Sequence, residues 1–178
     1  MGGMVLDHGH DIIIKQAKKI GSTILVVVNP NSVNDRNSKR AKSFLNENID
    51  YVKKNKLNKF VRFDISNINS KKSEWWEYFS VADLVLLPYR GGISSGIFAH
   101  AIATETPVVA SNISFFKEIL ENFGCLKIAK KESDYPKIIK YSMKPKIHKK
   151  MVDECKRYKK KYGLTSLSKE YKKFYEKL

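Results

Sequence analysis

Cysteine is scarce. The chain of 178 residues has two, Cys125 and Cys155, too few for a disulfide framework or a cysteine metal cluster. Five prolines and nine glycines leave no low-complexity block, internal repeat or linker. No apolar run approaches the roughly 18 residues that a membrane span needs. The first residues, MGGMVLDHGHD, carry neither a basic n-region nor an apolar h-region, so no signal peptide is expected. These absences point to a soluble, cytoplasmic protein. Acidic residues are also short: 18 Asp and Glu stand against 34 Lys and Arg, for a net charge of +16.

That charge is unevenly spread. Residues 140–178 hold 14 Lys and Arg and 4 Asp and Glu. Such a basic tail suits anionic lipid headgroups or phosphorylated ligands, or is simply a solvated helix surface. Nucleic acid is not the expected partner. Lys144-Pro145-Lys146 is the one plausible joint, dividing a body (1–145) from basic C-terminal helices (146–178).

Apolar residues make up 42% of the chain, enough for one domain with a real core. Continuous apolar runs predict strands at 23–30, 59–66, 83–89, 106–111 and 124–130, of the kind buried on both faces of a parallel sheet. Helical spacing predicts helices at 10–20, 32–57, 70–82, a segment of about ten residues after residue 96, 112–123, 132–143, 146–162 and 166–177. Gly21 is a stop signal, and Asn112 a capping-type start. The alternation predicts an α/β fold: a Rossmann-like parallel sheet with helices on both faces, plus C-terminal helices. On the last helix Leu167, Tyr171, Phe174 and Leu178 form one apolar face, which is expected to pack on the body or meet a partner or a membrane surface.

The segment PYRGGISSGIFAHAIATETPVVAS (88–111) holds the chemistry. In open parallel sheets ligands bind beyond the carboxyl ends of strands. Residues 90–96 fall there, just before a helix whose first N–H groups are free and whose dipole is positive. Gly91, Gly92 and Gly96 allow close approach to the backbone. Ser94 and Ser95 add hydroxyl donors, and Arg90 a cation. The combination suits a phosphate or diphosphate. A competing match exists: Gly92-Ile93-Ser94-Ser95-Gly96 fits the G-x-S-x-G of a serine hydrolase, with Ser94 as nucleophile and Asp134 and His148 completing the order. The D-H-G-H cluster at 7–10 reads as a loop; no metal is expected. Cys155, on a basic helix, is a candidate for a lowered pKa.

The run from Ala82-Asp83 through Pro88, the Ser94-Ser95-Gly96 loop, and Ala101-Ile102-Ala103 through Pro107-Val108-Val109-Ala110 resembles the donor-binding half of the GT-B retaining glycosyltransferases. The resembled group is glycosyltransferase family 4, the group 1 glycosyl transferases. DHGHDIIIKQA (7–17), FFKEILENFGCLKI (115–128) and SLSKEYKKFYEKL (166–178) extend the match over nearly the whole chain. The resemblance implies transfer of a hexosyl group from a nucleotide diphosphate sugar to a glycan or lipid-linked acceptor, in polysaccharide biosynthesis, with no bound cofactor. It implies that Ser94, Ser95, Gly96 and Ile97 cradle the diphosphate, with Arg90 and His8 as cationic helpers and His100 and Glu118 on the ribose or sugar side. His8 stands where the family has a lysine, His100 where it has a glutamate, and Glu105 where it has a glycine. The family's first strand is missing or truncated here, and its acceptor-binding domain is absent. The resemblance thus implies a fragment, a half that pairs with a separate chain, or an inactive remnant, with peripheral contact to the inner face of the membrane as an option. A non-catalytic module acting through the basic tail is the alternative of a different class.

Overall fold

The apolar runs do become strands. In the computed structural model, which describes residues 8–28, 35–65, 75–92 and 94–176, β1 (Ile24–Val28), β2 (Val61–Ile65), β3 (Val85–Leu87), β4 (Val108–Ser111) and β5 (Leu126–Ala129) alternate with helices. The helices are α1 (His10–Ile20), α2 (Asp35–Lys54), α3 (Trp75–Ser80), α4 (Gly96–Ala103), α5 (Ser114–Asn122), α6 (Tyr135–Ser142), α7 (Pro145–Tyr162) and α8 (Leu164–Tyr175). Every described strand pair is parallel. The expected α/β, Rossmann-like architecture with helices on both faces and helices at the C-terminus is the one observed.

The strands form two ladders, β1-β2 and β3-β4-β5. They nevertheless share one layer. Ile24, Val26 and Val28 of β1 and Val61 of β2 meet Leu84, Leu86, Val109 and Ala129 in a single apolar cluster, covered by α1, α2 and α6. Ile14 and Ala17 of α1 have no exposed surface. On the other face Leu87, Val108, Ala110 and Leu126 pack beneath α4, α5 and α7, with Phe98, Phe116 and Cys155 at the centre.

α7 belongs to this second core: Met151 and Cys155 on it are buried. The residues after 145 therefore do not separate from the body as one tail. The change comes at Gly163, beyond which α8 buries no residue. Tyr171 and Phe174 of the expected apolar stripe are 64% and 60% exposed, so the stripe does not lie on the sheet; Leu178 lies outside the described residues. Among the described residues no helix is long and apolar enough to cross a membrane. Burial also reverses the expectation for Cys155. Its contact with Cys125 and its removal from water raise the thiol pKa, and both cysteines are buried and free.

Two helix ends differ instructively from the sequence reading. α5 is capped by Ile113 without a side-chain bond, not by Asn112. α4 closes in a Schellman motif: the Thr106 N–H donates to the Ala101 carbonyl at 2.8 Å and the Glu105 N–H to that of Ile102 at 3.0 Å. This puts Glu105 at φ 62°, a conformation that suits glycine and strains any residue with a Cβ. The exposed ion pair of Glu105 with Lys159, 3.0 Å long, offsets little of that strain. Glu105→Gly is therefore expected to stabilise the fold by up to about 1 kcal/mol, read as a higher urea midpoint with an unchanged slope.

Candidate functional site

The site is built where α1 and α4 both begin, beyond the carboxyl end of β3. Gly9 is the N-cap of α1, at φ 64°. A Cβ built there would fall inside the van der Waals sphere of the Pro88 carbonyl oxygen. Glycine is thus required twice, by its backbone angle and by the close approach of α1 to the end of β3.

Side chains reinforce that approach. Arg90 donates two hydrogen bonds to Asp11, each 2.9 Å. Lys15 donates a third at 3.1 Å. Burial alone would raise the Asp11 pKa, but the bonds and charges of Arg90 and Lys15 outweigh it and hold the carboxyl below its ordinary value. One carboxylate against two cations leaves this cluster net positive. Next to it the His8 and Tyr89 rings lie 5.2 Å apart. Burial and the neighbouring His8 push His10 down to about 3, so its imidazole is neutral at physiological pH. Its Nδ1 is buried without a hydrogen-bond partner.

The Gly/Ser loop completes the site. Ser95 caps α4: its Oγ accepts from the Phe98 N–H at 3.1 Å. It also shares a 3.1 Å hydrogen bond with the Tyr89 hydroxyl. The cap satisfies one orphan donor and leaves the N–H groups of Gly96 and Ile97, which have no intrahelical acceptor, at the open end of the helix. A Cβ on Gly91 or Gly96 would meet nothing within 4 Å. Close packing therefore does not explain Gly96; the space over the helix end is open. Gly92 has φ 138°, which a side chain would strain. Ser94 is exposed beside it, and Ile93 lies outside the described residues.

The structure thus brings together Arg90, Ser94, Ser95, Gly96, Ile97 and His8, though Arg90 is engaged by Asp11. His100 sits one turn into α4, its ring 5.0 Å from that of Trp76 and 5.9 Å from that of Phe79; burial lowers its pKa. Glu118 is exposed on α5 and is one of the charges that raise the Tyr158 phenol, after burial. The hydrolase constellation is not assembled. The His148 Nε2 lies 2.8 Å from the Asp83 carbonyl oxygen, at the amino end of β3, whereas Ser94 lies beyond its carboxyl end. Asp134 accepts from the Lys131 N–H at 3.2 Å in its own turn. Among the described residues no group of three or more His, Cys, Asp or Glu is placed to hold a metal ion.

No family model matches the chain, and no curated protein matches it by sequence. Solved structures do. Its fold is shared with Anabaena HepE. The complex of HepE with UDP and glucose superposes with a TM-score of 0.75 at 13% identity, over 100% of this chain and 47% of that one. The UDP complex gives 0.76 at 13% identity over 100% and 48%. The UDP-glucose complex gives 0.73 at 13% identity over 98% and 46%. The chain therefore spans about half the length of the HepE structures. The fold is the α/β, Rossmann-like, parallel-sheet architecture expected from the sequence, shared with about half of HepE.

Sequence reasoning missed Asp11, Tyr89 and His10. Asp11 and His10 lay within the DHGHD segment that matched the family's opening, but nothing local shows that Asp11 meets Arg90, 79 residues away.

Two outcomes follow. Gly9→Ala is expected to cost about 2–4 kcal/mol of stability through left-handed strain and the Pro88 clash, measured by urea unfolding. For Asp11, a depressed folded pKa means stabilisation that is present above the ordinary value of 3.8 and is lost as pH falls through the folded value. Asp11→Asn should cost about 1–3 kcal/mol at pH 7, and the gap from the parent protein should narrow as pH falls below about 4.

Proposed function

We propose that this chain binds the diphosphate of a nucleotide sugar and acts as the donor half in hexosyl transfer to a glycan or lipid-linked acceptor. The observation that carries this reading is the open, serine-capped start of α4 at the carboxyl end of β3, beside the net-positive Arg90–Asp11–Lys15 cluster. In it the N–H groups of Gly96 and Ile97, with the Ser94 and Ser95 hydroxyls, receive the phosphate oxygens. Arg90 is held by Asp11 in a fixed orientation, so it contributes field and geometry without a further ordering cost. His8 lines the same mouth and serves as the second cationic helper when protonated. His100 and Glu118 are assigned to the ribose or sugar side. Charge that develops on the leaving diphosphate meets preoriented dipoles and cations, which is how such a site lowers a barrier without a metal or cofactor.

In this reading the acceptor is held by another domain, in keeping with a chain that spans about half the length of HepE. HepE, with the same fold, is solved with UDP and with UDP-glucose, so uridine nucleotides are the first donors to try. A cytoplasmic location, with α8 touching the inner face of a membrane, is part of this reading. The exposed Tyr171, Phe174 and Tyr175 on a lysine-bearing α8 favour one different-class reading, a non-catalytic interaction module. That reading predicts anion-polymer binding that falls steeply with salt and is lost when α8 is removed, in a folded protein that no nucleotide stabilises.

The test is a thermal-shift and calorimetric panel of UDP, GDP, ADP and CDP and their sugars. Ligand at 100 times its dissociation constant adds about 2.7 kcal/mol of stability. The Gly96→Val variant should keep the fold, since its Cβ points into open space, and lose the shift. A panel in which no nucleotide stabilises the folded protein overturns the proposal.

A further inference from the structure

The hydrogen bond between Tyr89 and Ser95 leaves one hydroxyl hydrogen over. The Tyr89 hydroxyl and the Ser95 Oγ lie 3.1 Å apart, and either oxygen can donate to the other. Ser95 Oγ also accepts from the Phe98 N–H at 3.1 Å. A hydroxyl carries one hydrogen and two lone pairs. The pair therefore holds two hydrogens, and only one of them can lie between the oxygens. The other has no acceptor among the described residues. Both side chains are half-buried, and Ser94 and Gly96 on either side of Ser95 are exposed. The spare hydrogen is thus left at the open start of α4.

Chemistry decides which residue keeps it. A phenol is a stronger acid than an alkyl alcohol, so it is the better donor and the poorer acceptor. Tyr89 is also held firmly in place. Its ring lies 5.2 Å from that of His8 and 5.9 Å from that of Phe116, and the backbone just before it is fixed where Pro88 meets Gly9. Burial raises the Tyr89 phenol above its ordinary value, against the opposing effect of the Ser95 hydrogen bond, so it keeps its proton at physiological pH. With Tyr89 donating, both lone pairs of Ser95 are filled, one by the phenol and one by the Phe98 N–H. Ser95 can then accept nothing more and can only donate. Accepting from Tyr89 polarises the serine O–H, and an ionised oxygen is the acceptor that gains most from such a donor.

We propose that Tyr89 is a positioning residue: it donates to Ser95 and so commits the Ser95 hydrogen to an anionic oxygen of the ligand. This role rests on the diphosphate reading of the same mouth. It explains how a serine already engaged as a helix cap remains a donor, and it fixes the character of the ligand atom there. A phosphate oxygen satisfies that position; an ammonium group does not.

The experiment is an NMR titration of the full 178-residue chain with UDP and, separately, with inorganic pyrophosphate, followed through the Gly96 and Ile97 amides. The parent protein is compared with Tyr89→Phe, Ser95→Ala and the double variant. Tyr89→Phe is expected to weaken both probes about tenfold, and Ser95→Ala at least as much. The double variant should match Ser95→Ala within about twofold, because Tyr89 acts only through Ser95. A residue that merely props the loop would instead give losses that multiply. Ser95→Gly, which keeps a good helix cap, replaces Ser95→Ala if the α4 amides show that the helix frays. Three results overturn the positioning role and leave the diphosphate reading standing: unchanged affinity in Tyr89→Phe, multiplied losses in the double variant, or a larger loss in Tyr89→Phe than in Ser95→Ala. If pyrophosphate binds and UDP does not, uridine is excluded as the donor base, and the same comparison on pyrophosphate decides the role of Tyr89. A parent protein that binds neither probe overturns both readings.

Discussion

Arg90, three residues beyond β3, reaches Asp11 in the first turn of α1 with two bonds of 2.9 Å, and Gly9 presses the same turn onto the Pro88 carbonyl. This joint fixes the start of α1 to the end of β3. Among the described residues no ladder connects β1-β2 to β3-β4-β5, and helices join them there. α1 is the element that does so most directly, because it is anchored at one end to β3 and leads at the other into β1. The same joint decides where charge sits. It buries a carboxylate that costs energy unless paired, pairs it with Arg90 and Lys15, and leaves a net positive rim beside the open end of α4.

The glycines around that rim serve different ends. Gly9 is demanded by the protein itself, since any Cβ there meets the backbone of β3. Gly91 and Gly96 are demanded by nothing within 4 Å. A glycine that no neighbour requires, at a helix start that is already capped by serine, leaves its own N–H accessible to something outside the chain. Ser95 adds to this by satisfying the Phe98 N–H from the side, which keeps the first two donors of the helix clear.

Much of this was legible in the sequence because it is local. Continuous runs such as ILVVV and VVAS have no polar face and do become strands; VVAS is covered on both sides, whereas in ILVVV Leu25 is left 46% exposed, against the expected burial of both faces. The Gly/Ser loop declared itself by composition and by its place between a strand and a helix. Glu105 was visible as an odd residue where the resembled family has glycine, and its positive φ gives the reason. What failed was tertiary. The basic surroundings of Cys155 in sequence suggested an activated thiol, but the helix turns that residue into the core against Cys125, where burial dominates. Asn112 looked like a cap, yet Ile113 takes the position. The Asp11–Arg90 pair joins residues far apart in the chain, and no periodicity reports such a contact.

Chain connectivity gives α1 a further role. β1 and β2 are neighbours in sequence, as are β3, β4 and β5, so each parallel pair closes over a single crossover, a far shorter loop than the one between α1 and α6. α1 instead packs on α6, and the two helices are separated by more than a hundred residues. Closing that long loop is entropically expensive and is rewarded only once both ladders exist to be covered. The α1–α6 clasp is therefore the expected last step of folding and first step of unfolding. The rim that α1 contributes to the binding mouth would then last only as long as that clasp stays closed.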